Sequence, residues 1–188
     1  MNDITRCDWC GNDPIYTAYH DDEWGVPVYD SRALWEKLIL DGFQAGLSWI
    51  TILKRRDNFI KAFDGFDPEI IAKYGDNEID RLMNDSGIIR NRLKILATIQ
   101  NAKIYLEIEN EKEGGFSELM WNFTGGKVKK DNFSTMSDVP TQSAESEAMS
   151  KDLKKRGFKF CGPTICYAFM EAVGIINNHL TTCHRYEK

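Results

Sequence analysis

A chain of 188 residues is long enough for one domain, or for one domain with a small appendage. With 42% hydrophobic and 12% aromatic residues it can bury a core without a framework of disulfides. The formal net charge of −5 disfavours a uniformly basic nucleic-acid binder. Basic residues nevertheless cluster at Lys54-Arg55-Arg56, Arg90-Asn91-Arg92-Leu93-Lys94, Lys127–Lys130 and Lys151–Lys159, so one face could still be basic.

No apolar run reaches the roughly 20 residues of a membrane helix. The opening MNDITRCDWC lacks the apolar stretch of a signal peptide. The expectation is a cytoplasmic protein. Its five cysteines (Cys7, Cys10, Cys161, Cys166 and Cys183) would then be free thiols or metal ligands.

Helical periodicity dominates in chain order. A helix opens near Asp30-Ser31, with Leu34, Leu38 and Asp41 on one face. Trp49, Ile52, Leu53, Ile60 and Phe63 continue the i, i+3, i+4 pattern. Asp67-Pro68 is an N-cap followed by a first-turn proline, predicting a short helix over Pro68–Tyr74. Asp76 opens another, through Met83.

Ile95, Leu96, Ile99, Ala102 and Leu106 form the apolar stripe of a long helix over about residues 91–111. Residues 145–156 form a further helix. It closes on Lys154-Lys155-Arg156-Gly157: cations at the negative end, then a glycine free to take left-handed torsions. Pro163 starts the last helix, with Ile165, Ala168, Phe169, Ala172 and Val173 inward. No strand alternation and no repeat stands out, and residues 125–143 read as a long polar loop. The predicted class is all-α, a single domain over 1–188.

Two constellations suggest chemistry. Cys7 and His20 near one end, with His179-x3-Cys183 near the other, offer the four nitrogen and sulfur ligands that structural zinc prefers. Such a site would clip the chain ends together. Cys10 could replace His20, and His184 could replace His179; ordinary buried thiols and surface imidazoles are the alternative. A zinc deaminase needs H-x-E and P-C-x-x-C, and neither is present. Four protein ligands also leave no open position for a hydrolytic water.

The second constellation is aromatic. Trp9, Tyr16, Tyr19, Trp24, Tyr29, Trp35, Phe43 and Trp49 fall within fifty residues, with Asp41 among them. Rings with one carboxylate suit a flat cationic guest, through stacking, cation–π attraction and N–H donation to the anion. Trp35 and Phe43 read instead as core. Between residues 82 and 94, LMNDSGIIRNRLK ends one helix, turns at Gly87 and begins another near Arg90. This is a helix–hairpin–helix candidate, whose turn amides would face a phosphate with Arg90, Arg92 and Lys94 adding charge and Ile88 and Ile89 buried beneath. A plain helical turn is the alternative.

RCDWC, DPIYTAYHDDEWGVP, GFQAGLSWITILKRR, DSGIIRNRLKI, LKKRGFKFCGPTICYAFM and the closing His-x3-Cys resemble the 3-methyladenine DNA glycosylase I family, in order and over nearly the whole chain. The resemblance implies a compact helical fold of the helix–hairpin–helix glycosylase superfamily. It implies one structural Zn2+ held by Cys7, His20, His179 and Cys183. Tyr19 and Trp49 would sandwich an extruded base, with Trp9, Tyr16 and Trp24 as further walls. Gly46 and Leu47 would approach the gap left in the DNA, and Gly87, Ile88, Arg90 and Arg92 would serve the hairpin.

The partners so implied are double-stranded DNA carrying an alkylated purine and free 3-methyladenine as product, with the enzyme a monomer. Where the family pattern has Glu, this chain has Asp41, which shortens its reach by roughly 1.2–1.5 Å. No catalytic aspartate follows the hairpin and no Schiff-base lysine is assigned, so excision without strand cleavage is expected. Three rivals are a non-catalytic lesion binder, a zinc-stabilised interaction domain and a Cys7–Cys10 redox protein. The last lacks a surrounding βαβ context.

Overall fold

The structure, a computed structural model, describes residues 4–187. About 59% of it is helix and 2% strand. Ten helices follow in order among the described residues: α1 (Pro14–Asp22), α2 (Ser31–Gln44), α3 (Trp49–Leu53), α4 (Arg56–Ala62), α5 (Pro68–Ile71), α6 (Asp76–Asn84), α7 (Arg92–Glu111), α8 (Gly115–Asn122), α9 (Ala144–Arg156) and α10 (Pro163–Ala172). Two short strands, β1 (Lys129–Lys130) and β2 (Ile176–Asn177), pair in parallel.

Capping explains the starts. Asp13 accepts from Ile15 N at 3.0 Å, and Asp30 accepts from Ala33 N at 2.7 Å. Asp67 accepts from Glu69 N at 2.9 Å ahead of Pro68. Each side chain satisfies an amide that the first turn leaves open. Gly157 closes α9 at φ +102°, the left-handed stop that the sequence predicts.

Helix α2 is the axis. Nine of its fourteen residues are buried, and α3, α7, α8 and α10 pack around it. A helix apolar on most sides has to lie inside. Trp35 and Phe43, expected in the core, are buried there. Trp35 meets Phe66 and Tyr105, and Phe43 meets Phe59 edge-on at 4.8 Å.

The structure corrects several expectations. The run from Trp49 to Phe63 breaks at Lys54-Arg55 into α3 and α4. Helix α5 stops at Ile71, short of Tyr74. Helix α7 starts at Arg92, capped by the Asn91 side chain. Leu96, read as inward, is 40% exposed. The polar stretch after α8 carries β1 and a helical turn at Met136–Asp138. Its backbone is tied to the C-terminal segment by Lys129 N to Ile175 O, Asp131 N to Asn177 O and Thr181 N to Phe133 O, at 2.9, 3.2 and 2.9 Å.

Candidate active site

A cavity of about 330 Å³ opens between α1, α2, α3 and α10. Its wall includes Trp9, Tyr16, Tyr19, Trp24 and Trp49, together with Asp41. The six pocket residues implied by the resemblance therefore meet at one place, while Tyr29 of the same aromatic run lies outside it, exposed and stacked on Trp121 at 4.5 Å. Residues Met136, Val139, Pro140 and Thr141 of the polar stretch cover one side. Thr164, Tyr167 and Glu171 of α10 complete the opposite wall. That volume holds one small heterocycle.

The rings form a continuous wall, not a pair of parallel plates. Trp9 packs edge-on against Tyr16 at 4.9 Å and against Trp24 at 5.0 Å. Tyr19 and Trp49 stand 5.5 Å apart at 45°. A base held between two faces needs about 7 Å, twice a van der Waals contact of about 3.5 Å. The sandwich expected of Tyr19 and Trp49 is thus not formed in this structure, because the two rings touch each other.

Lys37, which the sequence analysis passed over, explains much of the pocket's charge. Its Nζ donates to Asp41 Oδ1 at 2.5 Å and lies 3.9 Å over the Trp49 ring. The i, i+4 spacing on α2 was the available signal. Asp41 is 1% exposed, and its Oδ2 has no hydrogen-bond partner among the described residues. Burial pushes the Asp41 carboxyl up and the Lys37 ammonium down; their mutual attraction opposes both shifts. Trp9 Nε1 and Trp49 Nε1 are likewise buried without partners. Buried polar atoms of this kind are rare unless something is bound there.

On the far side of α1, residue for residue next to Tyr19, His20 faces a second cluster. Ligand atoms of Cys7, His20 and Cys183 lie within 4.8 Å of one another and could hold a metal ion. His179 is buried beside them, its ring 5.2 Å from that of His20. Its Nε2 is unpaired among the described residues, while Nδ1 meets Asn177 Oδ1 at 2.9 Å. A histidine fixed through one nitrogen, with the other left free, has the arrangement a metal ligand requires.

Asp21 fixes the neighbouring groups. Its carboxylate meets His20 Nδ1 at 2.8 Å, His184 Nε2 at 3.0 Å and Arg6. His184 is thereby occupied elsewhere. Cys10 Sγ points to the Cys7 and Gly11 carbonyls, at 3.2 and 3.8 Å. Burial pushes the Cys7 thiol up to about 12 and His179 down to about 3. The imidazole is therefore neutral, as a ligand must be, and the thiol would need a cation's charge to ionise.

The remaining predicted residues lie outside the cavity lining. Gly46, at φ +83° with open space where a Cβ would stand, and Leu47, 43% exposed, lie on the turn between α2 and α3. The turn from Asp85 to Asn91 joins α6 to α7, with Ile88 buried under it. Arg90 and Arg92 are exposed. Two expectations need correction here. The Gly87 amide donates to Asp85 Oδ1 at 2.7 Å, so it is not free for a phosphate. Lys94 is 6% exposed, and its Nζ donates to Phe43 O and Ala45 O at 2.8 and 2.7 Å. It caps the last carbonyls of α2 and fixes the Gly46-Leu47 turn, which is a favourable use of a cation at a helix C-terminus.

Fold and site together define a helical protein with a ring-walled cavity for one flat heterocycle and a thiol–imidazole cluster near its chain ends. The chain matches the Methyladenine glycosylase family over residues 9–186. It is 49% identical over 183 residues to DNA-3-methyladenine glycosylase 1 of Escherichia coli K12, covering 97% of each chain. A crystal structure of 3-methyladenine DNA glycosylase I superposes with a TM-score of 0.95 at 48% identity, over 97% of this chain and 100% of that one. A Tyr-to-Phe variant of 3-methyladenine DNA glycosylase I, solved in complex with 3-methyladenine, superposes at 0.93 with 40% identity, over 98% and 99%. The chain belongs to the methyladenine glycosylase family.

Proposed function

We propose that this protein excises 3-methyladenine from alkylated double-stranded DNA, taking the extruded base into the ring-walled cavity and hydrolysing its glycosidic bond. The observation that carries the reading is the buried, unpaired Asp41 Oδ2 in a cavity of rings. Relatives that bear this activity in their names, aligned over almost the whole chain, support it.

The chemistry asks little of the protein as an acid. Methylation at N3 leaves the attached purine cationic. When the C1′–N9 bond breaks, its electron pair passes to N9 and neutralises the ring; water then adds at C1′ and loses a proton. The protein extrudes the base, holds it and admits that water. Asp41 Oδ2 accepts an N–H of the base, and the rings hold its plane. Excision ends there, because no lysine of the cavity is assigned to attack C1′: Lys37 is engaged with Asp41.

Cys7, His20 and Cys183, with His179 as fourth ligand, would hold a Zn2+ ion. Bound there, the ion supplies a tetrahedral anchor between the chain ends and contributes folding energy. The Asp85–Asn91 turn would serve as the hairpin of a helix–hairpin–helix element, with Arg90 and Arg92 toward phosphate. The protein would work as a monomeric, single-domain enzyme of the cytoplasm. No described helix is long and apolar enough to cross a membrane.

Chromatography of bases released from methylated DNA tests the proposal: free 3-methyladenine is expected, and DNA binding with no released base would refute it. Borohydride should trap no covalent adduct with the DNA; a trapped adduct would overturn excision without strand cleavage.

A further inference from the structure

Asp41 does not by itself make this cavity negative. Its carboxylate is already in contact with the Lys37 ammonium at 2.5 Å, and that pair sums to zero charge. The three phenols on the wall stay neutral, since burial pushes Tyr16, Tyr19 and Tyr167 above their ordinary range. A pocket of this make-up would hold a flat ring, yet it would gain little by choosing a cation over the neutral base. One further ionisable group stands in the wall. Glu171, on α10, lines the same cavity across from α2.

Glu171 differs from Asp41 in its partners. Among the described residues it has no basic partner, and its one hydrogen bond comes from a neutral amide: Asn178 Nδ2 donates to Oε1 at 2.8 Å. The same Nδ2 lies 2.6 Å from Tyr167 Oη, and Asn178 is 2% exposed, so the amide is fixed and turns one carboxylate oxygen toward a defined partner. The other oxygen is unengaged. A carboxylate oriented by an immobile amide and left without a counter-ion in a ring-walled cavity is costly until a cation arrives.

Building on the base-excision reading above, we propose that Glu171 is a specificity-determining residue: its carboxylate supplies the net negative charge by which the cavity prefers a positively charged purine to a neutral one. Asp41 then reads the hydrogen-bonding edge of the base, and Glu171 senses its charge. Burial holds the Glu171 carboxyl up at about 7; the Asn178 hydrogen bond and Lys37 oppose the rise, and Asp131 and Asp41 add to it. The arrival of a cation would favour its ionised form.

The test compares two ligands of nearly equal shape by tryptophan fluorescence, at mildly alkaline pH. One is the 3,9-dimethyladeninium cation, which mimics the N3-methylated nucleoside; the other is 3-methyladenine as its neutral free base. Wild type should bind the cation more tightly. Glu171→Gln keeps the shape and still accepts from Asn178. It should lose about tenfold in affinity for the cation, equivalent to about 1.4 kcal/mol, and stay within about twofold for the neutral base.

Glu171→Asp should retain the preference for the cation, which a purely structural role for this residue would not predict. Equal losses for both ligands in Glu171→Gln, or no loss for either, would overturn the inference while leaving the cavity reading intact. If wild type binds neither ligand, the cavity reading falls and takes this inference with it.

Discussion

Tyr19 and His20 are consecutive on α1, yet they enter two different kinds of buried polar cluster. On the His20 side, side chains converge on a point: three ligand atoms lie within 4.8 Å, and Asp21 locks the imidazoles from behind. On the Tyr19 side, polar atoms line a space of about 330 Å³ and several are left unpaired. Polar convergence with outer support builds a closed fastening, whereas polar dispersal among rings builds a receptor. One helix supplies both because adjacent residues on a helix point about 100° apart.

The sharpest way to break this comparison is Asp41→Asn. Release of 3-methyladenine in single-turnover assays should fall by about 100-fold or more, the scale seen when one buried polar contact to a transition state is removed. The circular dichroism spectrum should not change. Wild-type-like release would take Asp41 out of the receptor and leave the two clusters without a functional contrast.

On the other side, Cys183→Ser should lose about one equivalent of bound zinc per chain by elemental analysis and lower Tm by about 10 °C or more. Retained metal would dismantle the ligand set. A smaller effect separates anchoring cations from DNA-facing ones. Lys94→Met leaves two carbonyls without their donor and should cost about 1–3 kcal/mol, with the salt dependence of DNA affinity unchanged. Arg90→Ala should leave stability alone and reduce the slope of log K against log salt by about 1. The reverse outcome would return Lys94 to the DNA interface.

The last effect concerns pH. Glu171 has a folded-state pKa near 7, above the unfolded value of about 4.3. The folded chain therefore binds more protons between those values, and its stability falls as pH rises through that window. Glu171→Gln removes the titration, so the variant's Tm relative to wild type should rise from about pH 4 to about pH 7 and level off above. A difference that stays flat with pH would show that Glu171 titrates normally.

Sequence reading reached unevenly into this molecule. Helix starts were legible at the Asp30 and Asp67 caps and at Pro163, because capping is local chemistry, whereas the Asp13 cap of α1 emerged only from the structure. The break at Lys54-Arg55 was not, since the apolar pattern runs on across it while α3 packs on α2 and α4 packs on the turn that follows it. The ring wall could be named from density of aromatics, but its geometry could not. Nothing in the order of residues says that Tyr19 touches Trp49, or that Lys37 covers the face of Trp49. Lys94 sat in a run of cations and was read by its neighbours' charge; its burial depends on carbonyls about fifty residues away. Glu171 and Asn178 were invisible for the same reason, as only the fold brings α10 and the segment after it against α2.

The polar stretch from 125 to 143 forms part of the cavity's roof, and its near end is fastened by three backbone bonds to residues 175–181. Removing the final dozen residues would therefore do more than shorten a tail. It would cut two of the three bonds that hold the flap above the rings and also take away His179 and Cys183, so the receptacle would open just as the chain ends lost their fastening.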